Sequence, residues 1–543
     1  MPQIRPVGTL SLPTSRVGRV KRGSVILPVL SFAIWCETSW HFAFGRQRQE
    51  SPVSQEVTLT RSLAFQRLSM STMPFRKNMA MKILDNQTWV QQQFANAQLG
   101  DPRRTRRLGE IATSMLDAPD QSLPQQNPNW ADLKAAYRFF DCDDVTLQAV
   151  CQPHWQQTRQ TKPGRYLLIS DTTDIDQKTR PSTKGMGMLG NGQGRGLQLH
   201  SCLMYNSVAK QIVGAAGAMV QYRKRVPKNE TSAQSKKRIR ESDLWGNLVE
   251  QVGPPPKDCQ WIHVFDRGGD YFEAMCKIQL SGCDFVIRAS KLNRKVILAN
   301  GEKVALSEAI QRAEHLGDYD LSLRSRPGVK ARTASMKVSK IRIQMPLPRH
   351  HTPWAKQCGI KSIAMTVVIV QEIGKVKGSK PIRWVLLTSL KVNSLNDAWQ
   401  VITDYEDRWL IEEYHKVIKT GCAIESHALR SADRLEPMIG LISVLGIRLF
   451  QLKLVGRVDR TRKAKNHVPS SWLRGLKLLC PKLALSRLTV YEFLREVAKL
   501  GGFLARKHDG EPGWQTIWRG HQKLKSILDA ERILRRNEAS TCG

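Results

Sequence analysis

Two apolar runs that each lead to an aspartate constrain the fold more than any other feature of this chain. Residues 166–169 (YLLI) lie just before Asp171, and residues 261–265 (WIHVF) are followed directly by Asp266. Short apolar runs of this kind are typical of buried strands, and α/β folds place reactive groups where strands end. The sequence therefore predicts an α/β core with both aspartates at strand ends. Taken singly, each aspartate is better explained as a turn residue or a helix cap.

A third polar feature lies on a helix-like segment at residues 405–421. Four of its side chains recur at offsets of 0, 3, 7 and 14 residues, namely Tyr405, Arg408, Glu412 and Lys419. At about 100° per residue they fall within an arc of roughly 60° on one helix face. We expect this polar stripe to face a cleft. For the segment alone, a solvated stripe of salt bridges is an equally good interpretation.

Two strand-end aspartates and a helix-borne glutamate are the ligands that two-metal phosphoryl transfer requires. Mg²⁺ prefers carboxylate oxygens, and two ions about 4 Å apart clamp the attacking and leaving oxygens at phosphorus. The sequence therefore predicts that Asp171, Asp266 and Glu412 hold two Mg²⁺ ions per active site, with Mn²⁺ as a substitute. The cations and the phenol of the polar stripe are expected to hold the flanking phosphates.

The charge of the chain indicates the partner of such an enzyme. Lys and Arg number 84 against 47 Asp and Glu, which gives a formal net charge of +37 and a pI near 10.1. A surface of this kind binds polyanions, although charge alone is equally compatible with simple solubility or a scaffold role. With 543 residues and 41% hydrophobic content, two to four domains are expected. The 11 cysteines have no paired spacing, which favours reduced thiols and a cytoplasmic protein.

A helical region that follows residue 80 carries the candidate DNA-end contacts. One segment begins with Asp-Pro and a basic first turn, and a second, WADLKAAYRFF, has apolar residues at helical spacing. The candidate end-recognition residues are Arg103, Arg104, Arg106, Arg107, Tyr137 and Arg138. For an arginine cluster judged alone, a solvated charged face is the commoner outcome. Residues 1–80 lack sustained patterning, so we expect a disordered or miscalled leader that is dispensable, with neither export nor a membrane partner.

Sequence motifs extend these inferences beyond single residues. LGDPRRTRRL, AAYRFF, SDTT, FDRGGD, FVIRASK, WVLLTSLKVNSL, YEDRWLIEEYHKVIKTGCAIE and LGGFL occur in this order along the chain. In this set, from about residue 89 to residue 524, the sequence resembles the Tn-five-like DDE transposases of insertion-sequence family four. One departure lies in FDRGGD, where Gly268 and Gly269 replace the larger residues of that family.

The resemblance implies an α/β fold with an RNase-H-like catalytic core and an inserted β-rich subdomain, flanked by helical regions. The implied divisions are a leader at 1–80, an end-binding domain at 81–155, a catalytic domain at 156–424 with its insertion at about 290–390, and a dimerisation region at 425–535. The resemblance also implies roles for particular residues. Asp171, Asp266 and Glu412 are metal ligands, Tyr405, Arg408, Lys419, Arg288 and Lys291 bind DNA phosphates, and Trp384 stacks on a flipped base.

The reaction implied by the resemblance is cut-and-paste transposition of bacterial DNA. Nicking frees a 3′-hydroxyl, this hydroxyl forms a hairpin on the opposite strand, and the opened end is joined to a target. The implied partners are double-stranded DNA, as terminal inverted repeats and target DNA, and a second protomer in a homodimeric synaptic complex. The enzyme is expected in the cytoplasm, associated with the nucleoid when bound to DNA.

Two other functions stay open at this point. The chain could be a transposon-derived DNA-binding protein without catalysis, or a two-metal nuclease that cuts without joining. A dinucleotide-binding oxidoreductase is disfavoured, because the GMGMLG segment at 185–190 precedes a strand-like run rather than a helix. As for Trp384, a lone tryptophan in a strand-like segment is more often a core residue than a base-stacking one.

Overall fold

The structure is a computed structural model of the whole chain. It describes residues 85–541, except for positions 191, 193, 225, 228, 232–233, 235–239, 324–330, 350–352, 375–380, 459 and 507–508. The leader predicted at 1–80 lies outside the described residues.

Among the described residues, the first and last parts of the chain are helical, and the middle part contains the strands. The strands are β1 Gly164–Asp176, β2 Gly187–Leu189, β3 Gly194–Asn206, β4 Gln211–Gln221, β5 Cys259–Phe265, β6 Asp284–Arg288, β7 Lys295–Ile297, β8 Lys303–Ala305, β9 Glu314–Leu323, β10 Arg332–Pro346, β11 Ser362–Glu372 and β12 Arg383–Thr388. The helices are α1 Asn86–Phe94, α2 Pro102–Asp117, α3 Leu123–Gln126, α4 Trp130–Phe140, α5 Leu147–Arg159, α6 Glu241–Val252, α7 Phe272–Leu280, α8 Leu306–Gln311, α9 Pro353–Gln357, α10 Leu395–Asp407, α11 Trp409–Lys416, α12 Ala432–Val458, α13 Ser470–Leu479, α14 Val490–Leu500 and α15 Trp514–Thr541.

The strands of the described residues form one mixed sheet. Its order is β2-β3-β1-β5-β6-β12-β11-β10-β7-β8, with β4 paired to β3 and β9 to β10. Strand β1 pairs antiparallel with β3 and parallel with β5, and β5 is parallel to β6. The rest of the sheet, from β12 to β8, is antiparallel. Helices cover both faces, as expected for a sheet with a parallel centre.

Strand β1 is longer than its apolar run predicts. Its parallel pairing with β5 ends at the pair Ile169 and Val264, whereas its antiparallel pairing with β3 continues to Asp176. The sequence predicted Asp171 at a strand end. In the structure it lies inside β1, just past the point where the pairing with the parallel strand β5 stops. The polar residues that follow it remain in the strand because β3 supplies their backbone hydrogen bonds.

A hydrophobic core lies on each face of the sheet, because successive strand residues point to opposite sides. On one face, Leu167 and Ile169 of β1 pack with helices that include α5, α10 and α12. On the other face, Leu168 packs with α6, α7 and α8. Since Asp171 follows Ile169 by two positions, its side chain lies on the first face, among the helices that also carry the polar stripe.

Helix α12 is long and apolar enough to cross a membrane by composition alone. Its segment Ala432–Leu454 has a mean hydropathy of 1.5, and 94% of its most apolar window is buried inside the protein. Its apolar side chains pack in the hydrophobic core on one face of the sheet.

The segment that carries the polar stripe is not one continuous helix. Helix α10 ends at Asp407 and α11 begins at Trp409, with Arg408 between them, and Val417–Gly421 forms a π-helical turn. A single helix was expected over residues 405–421. Arg408 itself keeps right-handed helical dihedral angles, and it contacts Glu412 four residues later as on a helix face.

Candidate active site and DNA-binding surfaces

Asp171 and Asp266 occupy matching positions on neighbouring parallel strands. The β1–β5 register pairs Ile169 with Val264, and each aspartate lies two residues after its partner in that last pair. A shift of two residues keeps the face, so both side chains project on the same side of the sheet. The site is thus placed at the edge where the parallel pairing ends.

Arg408 joins Asp171 to the glutamate of the predicted triad. Its guanidinium donates to Asp171 Oδ2 at 3.2 Å and to Glu412 Oε1 at 2.6 Å. Arg408 and Asp171 are buried, and Glu412 is half-buried. The break between α10 and α11 places Arg408 at the one point from which it contacts both carboxylates.

Burial and mutual repulsion govern the ionisation of this cluster. Loss of solvent raises the pKa of Asp171 well above its usual value, and the charge of Asp266 raises it further, against the lowering effect of Arg408. Burial also raises the pKa of Glu412, although Arg408 lowers it in part. For Arg408, burial lowers the pKa, but the charges of Tyr405, Glu412 and Asp171 outweigh it, so the net pKa is raised. The cluster therefore holds more negative charge than one guanidinium neutralises.

The chemistry of the cluster suits divalent metal ions. Its donors are carboxylates, the ligands that Mg²⁺ and Mn²⁺ prefer, and their raised pKa values reflect a need for positive charge. In this conformation Arg408 supplies that charge, and no three Asp, Glu, His or Cys side chains of the described residues converge as a metal-binding group. The donor set fits the ions, while its present arrangement is that of an ion-paired cluster.

The loop after β5 explains the glycines of FDRGGD. Gly268 N donates to Asp266 Oδ1 at 2.6 Å, which fixes that carboxylate at the start of a short 3₁₀ helix. A Cβ at Gly268 would lie 2.8 Å from the Trp245 ring, and one at Gly269 would lie 2.6 Å from Phe265 Cβ. Larger residues are therefore excluded here by the close approach of α6 and β5.

Tyr405, Arg288 and Trp384 form a buried layer next to the cluster. Arg288 is buried at the end of β6, where loss of solvent lowers the pKa of its guanidinium and Tyr405 partly restores it. Trp384 packs edge-on against Tyr405 with ring centroids 5.1 Å apart, and only 2% of its surface is exposed. In this conformation Trp384 is a core residue, and stacking on a base requires that its ring face be uncovered.

Lys419 and Lys291 lie at the exposed margin of the region. The Lys419 ammonium is 3.3 Å from Glu425, and both side chains are partly exposed. Lys291 is exposed on the turn after β6, and its ammonium lies 4.7 Å above the ring centroid of Tyr271. These two cations are accessible to solvent, unlike Arg288 and Arg408.

Three of the predicted end-recognition arginines are already paired with acids. Side chains of Asp101, Asp144 and Asp132 contact, respectively, Arg103, Arg104 and Arg107. The Asp101 side chain also caps α2 by accepting from the backbone N–H of Arg103 at 2.8 Å. These arginines thus contribute to holding the helical region together.

The remaining predicted residues belong to an open surface. Arg106 on α2 and Arg138 on α4 are exposed and have no ion pair among the described residues, as is also true of Lys134. Tyr137 is 41% exposed, and Trp130, seven residues earlier on the same face of α4, is 72% exposed. Trp130 was not predicted from the sequence. A large aromatic in the first turn of α4, outside the apolar spacing of that helix, was the signal.

Comparisons with known protein families gave matches near the two ends of the chain. Residues 86–145 match a family model described as transposase DNA-binding, and residues 445–541 match one described as the transposase Tn5 dimerisation domain. The matches support a Tn5-like transposase that binds DNA and forms homodimers. They also imply an enzyme that cleaves and transfers DNA.

Proposed function

We propose that this chain catalyses cut-and-paste transposition, with Asp171, Asp266 and Glu412 as the ligands of two Mg²⁺ ions. The observation that carries the proposal is the in-register placement of Asp171 and Asp266 on parallel strands, together with the Arg408 contacts that link Asp171 to Glu412. The two matched ends supply DNA binding and dimerisation, and the middle of the chain supplies the chemistry.

The sheet topology supports an RNase-H-like core of the kind found in DDE transposases of insertion-sequence family four. Strands β4, β3 and β1 are antiparallel neighbours, and β5 and β6 then run parallel to β1. Strands β7 to β11 fall between β6 and the helices of the polar stripe, where the inserted β-rich subdomain is proposed.

The residues of the cluster have separate tasks in the proposed reaction. Asp171, Asp266 and Glu412 hold the ions, which polarise the scissile phosphate and activate the attacking oxygen when bound. Arg408 exchanges one of its carboxylate partners for a DNA phosphate, because a guanidinium binds phosphate oxygens as well as carboxylate oxygens. The exchange leaves carboxylate oxygens available to the ions. Lys291 and Lys419 bind phosphates on either side from the exposed margin.

The later steps are proposed to follow the same chemistry at the same site. The freed 3′-hydroxyl attacks a phosphodiester of the opposite strand and displaces the flanking DNA, so that a hairpin forms. Water reopens the hairpin, and the released 3′-hydroxyl attacks a phosphodiester of the target DNA within a complex of two protomers, displacing a target 3′-oxygen. Trp384 is proposed to stack on a base that hairpin formation extrudes. That role requires a rearrangement of the Trp384–Tyr405 contact, so it belongs to the DNA-bound conformation.

A nicking and joining assay with the full chain tests the proposal. The substrate is a duplex that carries the terminal repeat found beside the gene, with Mg²⁺ present. We expect Asp171→Asn to abolish nicking by more than about a thousandfold, as loss of a metal ligand does, while binding of the duplex changes little.

Asp174→Asn is the matched control. Asp174 lies on the same strand, projects on the opposite face and accepts a hydrogen bond from Gln198 Nε2 at 3.1 Å. Its nicking rate should be close to that of the wild type. Nicking by Asp171→Asn would contradict the site, nicking without joining would indicate a nuclease, and binding without any nicking by the wild type would indicate a DNA-binding protein.

A further inference from the structure

A fourth carboxylate, Asp270, is buried four residues after Asp266 and takes no part in the cluster. It follows the 3₁₀ helix Arg267–Gly269, and its side chain is completely buried. Buried carboxylates are uncommon unless they are paired or hydrogen-bonded. Asp270 therefore calls for a structural or functional explanation.

The partners of Asp270 all belong to the turn that follows β6. Its Oδ2 atom accepts from the backbone N–H of Ser290 at 2.6 Å, from the Ser290 hydroxyl at 3.0 Å and from the backbone N–H of Lys291 at 3.3 Å. The Arg294 guanidinium also contacts this oxygen, and Arg294 Nε donates to the Lys291 carbonyl at 3.0 Å. One oxygen thus gathers the backbone on both sides of Lys291.

This anchor connects two groups with different tasks in the proposed function. Asp266 and Asp270 lie on the same short segment after β5, so the position of one follows the other. The turn held by Asp270 carries Lys291, whose ammonium is exposed and lies 4.7 Å above the ring centroid of Tyr271. Asp270 accordingly ties the segment that carries Asp266 to the turn that carries the exposed Lys291 ammonium.

We propose that Asp270 is a positioning residue that holds Lys291 against a DNA phosphate next to the scissile one. The inference rests on the proposed function, since it assumes that DNA is cut at the Asp171–Asp266–Glu412 cluster. Asp270 contacts neither DNA nor metal ions itself. It acts through the Ser290–Lys291 backbone, whose two N–H groups donate to its Oδ2 atom.

A double-mutant cycle separates positioning from a general contribution to folding. In the wild-type background, Asp270→Asn should lower the nicking rate at subsaturating DNA by about ten- to a hundredfold, as a small displacement of a substrate-positioning group does. In a Lys291→Ala background, the same substitution should change nicking by less than about twofold, because interacting residues are not additive. Equal losses in both backgrounds would overturn the proposal.

A second readout locates the contact on the DNA. Single phosphates near the cleavage site are replaced by neutral methylphosphonates, one position at a time. One position should impair the wild type but not Lys291→Ala, and Asp270→Asn should be insensitive at that same position only. Sensitivity of Asp270→Asn at every position where the wild type is sensitive would contradict the proposal.

Asp404→Asn is the matched control for loss of a buried acid. Asp404 is also completely buried and pairs with Arg165, far from the β6 turn in sequence. It should lower thermal stability as Asp270→Asn does, yet leave the methylphosphonate pattern unchanged. If Asp270→Asn does not fold, Ser290→Ala, which removes only the hydroxyl contact, takes its place in the cycle with an expected loss of a few-fold. An active wild type with an inactive Asp171→Asn but an additive cycle would reject this inference and leave the proposed function intact.

Discussion

The proposed catalytic cluster and the N-terminal helical region both carry many charges, but they arrange them in opposite ways. In the cluster, Asp171, Glu412 and Arg408 are bonded to one another in a largely buried setting. In the helical region, Arg106 and Arg138 face solvent without an ion pair among the described residues. The first arrangement suits the proposed chemistry on one phosphate, and the second suits the proposed contact with a long polyanion.

The comparison teaches that exposure distinguishes the two tasks better than residue type does. A buried guanidinium has to satisfy its nearest acids, so its role depends on exact neighbours. An exposed guanidinium retains freedom to follow a phosphate backbone. Arg103, Arg104 and Arg107 fall between these cases, because they are on the surface and yet paired with aspartates.

The largest effect is expected from replacing Arg408, which pairs with both Asp171 and Glu412. Arg408→Ala should lower nicking by about a hundred- to a thousandfold, because it removes the charge that offsets the Asp171 and Glu412 carboxylates and the proposed phosphate contact. Arg408→Lys should recover part of this loss, since one ammonium cannot contact both acids as the guanidinium does. Nicking rates per folded protein at saturating Mg²⁺ are the measurement.

Arg165→Ala provides the control for loss of an ion-paired, half-buried arginine. Arg165 contacts Asp404, outside the cluster, so its removal should lower the melting temperature without a specific loss of nicking. A similar loss of nicking in both variants would show that Arg408 acts through stability alone.

The second prediction concerns the effect of the ionised Asp171 carboxylate on the stability of the folded protein. Because the pKa of Asp171 is raised in the folded protein, its ionisation at neutral pH opposes folding. Without divalent ions, Asp171→Asn should therefore be more stable than the wild type at pH 8, by about 1–2 kcal/mol. The difference should disappear below about pH 3, where the carboxyl group is protonated in both states.

Urea unfolding across this pH range measures the effect. An Asp171→Asn variant that is less stable than the wild type at pH 8 would show that Arg408 overcompensates the repulsion. Asp174→Asn, on the opposite face of the same strand, should show no such pH-dependent gain.

The smallest effects are expected on the exposed surface of the helical region. Arg106→Ala and Trp130→Ala should each weaken duplex binding about three- to tenfold, or roughly 1 kcal/mol. Arg106→Ala should also reduce the salt dependence of binding by about one ion, as loss of a single phosphate contact does. Arg103→Ala is the matched comparison and should change affinity by less than about twofold, because Asp101 already neutralises its charge.

Fluorescence anisotropy with a labelled duplex at several salt concentrations distinguishes these variants. If Arg103→Ala weakened binding as much as Arg106→Ala, pairing would not predict which arginines bind DNA. Ion pairing would then not separate the DNA-binding arginines of the N-terminal helices from the others.

The sequence predicted the strands before Asp171 and Asp266, but not the details that depend on packing. The runs before Asp171 and Asp266 were recognisable as strands because short, fully apolar runs are typical of buried strands. The continuation of β1 to Asp176 was not, since its polar residues stay extended only through pairing with β3. The break at Arg408 was also missed, because the local sequence is compatible with an uninterrupted helix.

Surface properties were the least predictable part. Which arginines of α2 are paired depends on Asp144 and Asp132, which are distant in sequence from the arginines they contact. For Trp384 the sequence allowed both a core position and a base-stacking role, and the structure places the ring in the core beside Tyr405. The base-stacking role stays a prediction for the DNA-bound state.

The most direct test of the central claim exchanges one proposed metal ligand for a softer one. Asp266→Cys should be inactive in nicking with Mg²⁺ and should regain activity with Mn²⁺, because a thiolate binds the softer ion better. Asp174→Cys should nick with either ion. Equal inactivity of Asp266→Cys with both ions, or undiminished activity with Mg²⁺, would contradict the assignment of Asp266 as a metal ligand in DNA cleavage.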